Sequence, residues 1–259
     1  MNNFKPHIIS IVVFLIISIV YCSSIFEKDT VLHTPDIQKY IGMSKEVVDH
    51  RNNNGEEALW TGTSFSGMPA YQTGLKSENN LIQYIHKIIH LGLPRPIDII
   101  FMYLFGFYIL LISLKVDYRI AIIGSIGFAF SSYFFIIIQA GHMTKAHAIS
   151  YLPLIIAAVI YTYRNKKWVL GAVFTSLFLA LQLYANHYQI TYYTILILFF
   201  IALLEFIRYF KDKKLIDFSK KSGVLVLAGV LALGTNYTRL ATTMEYSPIS
   251  QRGKSELNN

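Results

Sequence analysis

The chain has 259 residues, of which 54% are hydrophobic, 15% aromatic and only 15% charged. Soluble domains carry about 25% charged residues, so this composition excludes a disordered tail, a coiled coil and an ordinary cytosolic enzyme. Basic residues exceed acidic ones by 23 to 15, and a lone cysteine, Cys22, excludes an internal disulfide framework or a multi-cysteine zinc site.

Lipid offers no partners to an exposed backbone, so a membrane crossing needs about 20 mostly apolar residues in a helix. Such runs predict a first span near His7–Phe26, then a long polar stretch, then six more spans. These lie near Ile97–Leu114, Ile120–Ile138, Ala148–Tyr163, Trp168–Ala185, Ile190–Ile207 and Gly223–Leu240. The expected fold is all-α and integral to the membrane, with about seven transmembrane helices and a large, partly helical first external loop. Four regions follow: a first helix over 1–26, an external loop over 27–95, a six-helix region over 96–240, and the start of a second external segment over 241–259. The first run also has signal-peptide features, with Lys5 before an apolar core. Its length and the unsuitable Tyr21-Cys22-Ser23-Ser24 favour an uncleaved anchor.

Orientation follows from the basic residues, which collect on the cytoplasmic side. With the N-terminus inside, 12 of the 23 fall in short inner segments: Lys5, Lys115, Arg119, Arg164, Lys166, Lys167, Arg208, Lys211, Lys213, Lys214, Lys220 and Lys221. The short outer loops between the third and sixth spans hold only Lys145. The positive balance is therefore a topology signal and not a nucleic-acid patch. Every histidine except His7 then falls on the outer side or its edge, which locates any chemistry there.

The first loop holds 8 of the 15 carboxylates, and a loop of this length is expected to have structure of its own. Thr34-Pro35-Asp36 predicts a helix start, with Thr34 as N-cap, Pro35 at the first helical position and Asp36 in the first turn, where the helix dipole favours a carboxylate. The helix continues with Ile37, Tyr40, Ile41, Val47 and Val48 on one face. A second amphipathic segment sets Leu81, Ile82, Ile85, Ile88 and Ile89 against Gln83, His86, Lys87 and His90. Between them, Trp60 to Pro69 reads as an irregular loop.

Two outer turns are dense in polar groups: Gln139 to His147, and Tyr184 to Tyr193. Amides and ionisable groups at such depth face a cavity or a partner. Lys145 is suited to counter a phosphate, and His142 and His187 to donate hydrogen bonds to it. The competing reading is a pair of hydrated turns capped by interfacial tyrosines. His142, His147 and His187 are metal-ligand types, but their division between two loops gives no diagnostic spacing. Glu205, near the inner end of the sixth span, is expected to snorkel or to pair with Arg208.

Several stretches together resemble the bacterial membrane protein YfhO family: Pro35-Asp36-Ile37-Gln38, Trp60 with Phe65-Ser66-Gly67-Met68-Pro69, Gly141-His142-Met143-Thr144-Lys145, and Asn186-His187-Tyr188-Gln189-Ile190-Thr191-Tyr192-Tyr193. Glu245-Tyr246-Ser247 and Arg252-Gly253-Lys254-Ser255-Glu256-Leu257 complete the match. The resemblance implies a GT-C-like glycosyltransferase, a polytopic enzyme of the cytoplasmic membrane that takes sugar from a polyprenyl-phosphate donor to a cell-surface polymer or glycan. It maps the catalytic acid of the first external loop onto Asp36. Family members are several times longer, so the chain reads as the N-terminal portion of such a protein, with activity of the piece alone in question.

The chemistry fits that inventory. A lipid phosphate leaves as a stable anion, so it needs positive and hydrogen-bonding groups more than a general acid. One carboxylate then suffices to take the acceptor's proton. The expected roles are Asp36 as base, with Lys145, His142 and His187 near the phosphate and His147 among the substrate-binding residues. Asn186 and Gln189 would orient sugar hydroxyls, and Arg252 would assist. No cofactor is demanded, although a divalent metal is compatible, since some GT-C enzymes use one. A transporter or flippase for a lipid-linked or anionic substrate, and a non-catalytic scaffold, remain the alternatives.

Overall fold

A computed structural model describes residues 4–27, 34–74, 80–250 and 253. Among them the protein is overwhelmingly helical. Helix α1 (Lys5–Tyr21) is followed by a short 3-10 turn and by α2 (Pro35–Asn54). Two-residue strands β1 (Trp60–Thr61) and β2 (Met68–Pro69) pair antiparallel, giving order to the stretch expected to be an irregular loop. Then come α3 (Ile82–Ile89), α4 (Ile97–Ser113), α5 (Tyr118–Ala129), α6 (Ser132–Ala140), α7 (Met143–Arg164), α8 (Trp168–Tyr184), α9 (Tyr188–Lys211), α10 (Leu215–Thr235) and α11 (Tyr237–Tyr246).

Local sequence explains where the helices start and stop. Pro35 occupies the first turn of α2, and the Thr34 carbonyl accepts from the Ile37 and Gln38 amides; the Thr34 hydroxyl makes no capping bond. Gly55 ends α2 in the left-handed conformation, with its N–H on the Arg51 carbonyl. The Asp117 carboxylate caps α5 through the Arg119 amide. Gly141, at φ +90, closes α6 and lets the chain reverse directly into α7.

Helices α4 and α7 form the centre. They are apolar around most of their circumference and buried accordingly, with Tyr103, Tyr151, Leu104, Leu154 and Ile155 fully enclosed. Gly106 allows the close approach: a Cβ there would lie 3.0 Å from the Ser150 carbonyl oxygen. Polar side chains tie neighbouring helices together, as expected where helix packing cannot rely on water exclusion alone. Tyr103 donates to the Ala146 carbonyl at 3.1 Å, Gln182 to the Ala148 carbonyl at 2.9 Å and to Thr194 Oγ1 at 3.0 Å, and Asn236 to the Ala180 carbonyl at 3.0 Å. The outer helices behave differently: α9 exposes Ile195, Phe199, Phe200, Leu203 and Leu204, and α10 exposes Val226, Leu227, Val230 and Leu231.

By length and apolarity α7 and α9 are each able to cross a membrane, and the number rises to four if two bent pairs each count as one crossing. These pairs are α5 with α6, bent by 44° at Phe130–Ser131, and α10 with the segment from Tyr237 to Ile249, bent by 72° at Asn236. This is fewer than the seven crossings expected from the apolar runs. The reason is length: α1, α4 and α8 have 17 residues each, about 25 Å of helix against a hydrocarbon core of about 30 Å. Glu205 pairs with Arg208, the second of its two expected arrangements, and takes Arg164 as a further partner. Its side chain is 1% exposed and accepts from Arg164 Nε at 2.6 Å and Arg208 at 3.3 Å, so it does not snorkel but bridges α7 and α9.

Candidate functional site

One end of the bundle collects the start of α2, the whole of α3, the start of α4, the α6–α7 and α8–α9 turns and the bend into α11. Together they line a cavity of about 1120 Å³. Gly141 sets its floor on one side. A Cβ there would lie 3.1 Å from the Ile37 amide nitrogen and 3.3 Å from the Cβ atoms of Asp36 and Thr34, so glycine lets the α6–α7 turn touch the first turn of α2. That contact brings Asp36 Oδ2 to 3.2 Å from His142 Nδ1, with both side chains about half exposed to the cavity.

The residues singled out from sequence divide into two groups. Asp36, His142, His147 and Asn186 line the cavity. Asn186 sits at φ +60 in the α8–α9 turn, and His147 lies one turn inside α7, buried, where an external turn was expected. Lys145 does not line the cavity; its ammonium stands 5.2 Å from the centre of the Tyr133 ring. Gln189 bonds Tyr193 at 2.7 Å on the exterior. His187 also stays out of the lining. Burial, and after it the charges of Lys145 and His142, hold its imidazole below the usual histidine range. Its Nε2 is buried without a partner, as are the Tyr188 hydroxyl and Thr191 Oγ1 in the turn that follows. Arg252 lies outside the described residues. Among the described residues, the cations that line the cavity are Lys87, Arg95 and Arg239, none of them anticipated from sequence. Arg239 is positioned by the Tyr184 carbonyl at 2.9 Å and by the Tyr184 ring.

Sequence reasoning also missed the densest polar cluster. His86 on α3 and His90 just past its end stand one turn apart with ring centres 4.2 Å apart, and the His147 ring is 5.0 and 5.1 Å from them. The Tyr151 hydroxyl sits between His86 Nδ1, at 2.6 Å, and His90 Nε2, at 2.9 Å. Asp98, in the first turn of α4, faces His90 Nδ1 at 3.0 Å and His147 Nε2 at 3.3 Å through one oxygen, Oδ2. Its other oxygen is buried without a partner. Burial, reinforced by the neighbouring imidazoles His90 and His147, lowers the His86 pKa to about 3, and burial lowers that of His90. Both rings are therefore neutral at ordinary pH. One nitrogen from each of His86, His90 and His147 lies within 4.8 Å of the others, a grouping suited to a metal ion.

Helix α3 delivers this cluster by turning differently from its sequence pattern. Ile82, Ile85 and Ile89 pack on the core as expected, but His86 and His90 face inward beside them, while Leu81 and Ile88 point away, 72% and 71% exposed. The available signals were the four-residue spacing of the two histidines and an aspartate at the head of an apolar run.

No protein-family model, curated protein or solved structure matches this chain, so the reading of its site rests on its own residues and geometry.

Proposed function

We propose that the protein is a GT-C-like membrane glycosyltransferase module of the cytoplasmic membrane. In this reading it transfers a sugar from a polyprenyl-phosphate donor to a cell-surface acceptor on the extracytoplasmic side. The observation that carries the reading is the meeting of Asp36 with His142, 3.2 Å apart, on a cavity that also presents Asn186 and three cations. A carboxylate at a cavity wall is placed to take a proton from an acceptor hydroxyl. Lys87, Arg95 and Arg239 suit the departing lipid phosphate, taking the part that sequence reasoning gave to Lys145, and Asn186 suits sugar hydroxyls.

The membrane arrangement belongs to the same proposal. Seven crossings result if α1, α4, the α5–α6 pair, α7, α8, α9 and α10 each traverse the bilayer, with the N-terminus inside. The exposed apolar faces of α9 and α10 support this, since soluble surfaces seldom carry such continuous patches. So does the sequence of ends: all cavity-lining segments then lie outside, and the Arg164–Glu205–Arg208 group lies inside.

The test is Asp36→Asn in membranes containing the full chain, supplied with a polyprenyl-phosphate sugar. Loss of glycosylated product at normal expression is expected; transfer at the wild-type rate would remove Asp36 from the role of base. A transporter would instead move the lipid-linked substrate across vesicles without product. It is disfavoured because the polar groups gather at one end of the bundle and not at mid-depth, where transporters bind their substrates.

A further inference from the structure

We infer that His86, His90 and His147 form the binding site of a divalent transition-metal ion of the zinc type, with Asp98 behind the ligands. The inference goes beyond sugar transfer and holds equally if the module turns out to transport or to scaffold.

Counting hydrogens exposes the site. His147 Nδ1 is 2.9 Å from the Met143 carbonyl, an obligatory acceptor, so Nδ1 carries a hydrogen, and in the neutral ring Nε2 carries a lone pair. That lone pair faces Asp98 Oδ2 at 3.3 Å, and a carboxylate oxygen has no hydrogen to give. His90 meets the same oxygen through Nδ1, which must therefore be protonated, leaving its Nε2 as a second lone pair. The Tyr151 hydroxyl has one hydrogen for two imidazole nitrogens, His86 Nδ1 and His90 Nε2. If it serves His90, then His86 donates Nδ1–H to the tyrosine oxygen and keeps its lone pair on Nε2, and a metal ion would take the place of the tyrosine hydrogen at His90 Nε2. Every hydrogen is then assigned, yet His147 Nε2 and Asp98 Oδ2 still face each other as acceptors, and Asp98 Oδ1 is buried with nothing. A cation supplies what is missing: a proton on His147 Nε2 would satisfy that pair alone, whereas a metal ion would be held by all three imidazoles, one nitrogen of each lying within 4.8 Å of the others.

The donor set decides which cation. Three neutral imidazoles suit zinc and its neighbours, whereas magnesium and calcium call for oxygen ligands. Tetrahedral zinc at about 2.1 Å from each nitrogen holds them about 3.4 Å apart. From a spacing within 4.8 Å each ring needs to close by less than about 1 Å. His90 donating Nδ1–H to Asp98 is the carboxylate–histidine–metal arrangement that fixes a ligand's tautomer. His86, His90, His147 and Asp98 all line the cavity that Asp36 and Arg239 also line.

The probes are zinc and cobalt(II), added singly to chelator-stripped full-length protein in detergent. One ion per chain is expected, cobalt giving the intense visible absorption of a four-coordinate nitrogen site, with a millimolar excess of magnesium failing to displace it. His86→Gln, His90→Gln and His147→Gln should each weaken zinc binding by more than about 100-fold. Asp98→Asn should weaken it by about 10- to 100-fold with unchanged stoichiometry, the range measured for outer-shell partners. His50→Gln, on the exposed face of α2, should bind like the wild type. Absence of saturable cobalt absorption in the wild type overturns the inference whatever the variants do. So does zinc binding that survives the His86 and His147 substitutions undiminished.

Discussion

Substituting Gly141 by alanine tests the contact on which the Asp36–His142 pair depends. The backbone there has φ +90, a region that costs an L-residue about 1–2 kcal/mol relative to glycine. The added methyl would then lie 3.1 Å from the Ile37 nitrogen and 3.3 Å from two Cβ atoms, inside the usual carbon contact distance of about 3.5–4.0 Å. Because one neighbour is backbone at a helix start, relief requires α2 to shift, and overpacking of this kind costs about 1–3 kcal/mol. The expected loss is therefore about 2–5 kcal/mol. Gly42 supplies the internal control. It lies within α2, where an added methyl would meet nothing within 4 Å, so Gly42→Ala should stabilise by about 0.5–1 kcal/mol through helix propensity. Reversible denaturant unfolding in mixed micelles, followed by far-UV circular dichroism, measures both. If Gly141→Ala unfolds within about 0.5 kcal/mol of the parent while Gly42→Ala gains as expected, α2 does not dock on the α6–α7 turn in this way.

Two further predictions concern charge. Arg164→Ala removes the closer partner of buried Glu205 and leaves Arg208 at 3.3 Å. Since Arg164 is itself half exposed, the loss should be about 1–3 kcal/mol, below the cost of breaking a fully buried pair, and larger than that of Glu205→Gln, which leaves no stranded charge. Equal losses in the same unfolding assay would contradict this. His187 binds a proton less readily when folded than when unfolded, because of burial and the charges of Lys145 and His142. Its contribution is therefore intact above about pH 6.5 and is lost progressively as the pH falls below that value. Thermal midpoints measured between pH 7.5 and 5.5 should fall for the parent and fall less steeply for His187→Gln; parallel slopes would exclude His187 as a contributor.

The apolar runs made the helical architecture legible because burial in a bundle and burial in lipid both demand them. Helix starts and stops were legible where a single residue decides them, as at Pro35, and the polar turns around Gly141 and Asn186 were visible as breaks in apolar sequence. The histidine cluster was not. Asp98 is 49 positions from His147, and nothing in linear spacing joins them; only the packing of α4 against α7 does. Lys145 misled for the opposite reason. It is three residues from His142, but the intervening helix start sends its side chain toward Tyr133 and away from the cavity. The pattern of α3 was misleading too, because apolar residues on both flanks of a helix leave the inward direction undetermined until its neighbours are known.

That two-sided character of α3 makes the helix tolerant of substitution on one flank and intolerant on the other. Gln83, His86, Lys87 and His90 border the cavity, while Leu81, Tyr84 and Ile88 look outward from the protein. Over its eight residues, about two turns, the helix thus carries a lining face and an outward face. A change at Leu81 or Ile88 therefore meets open surroundings, whereas one at His86 or His90 meets the histidine cluster itself.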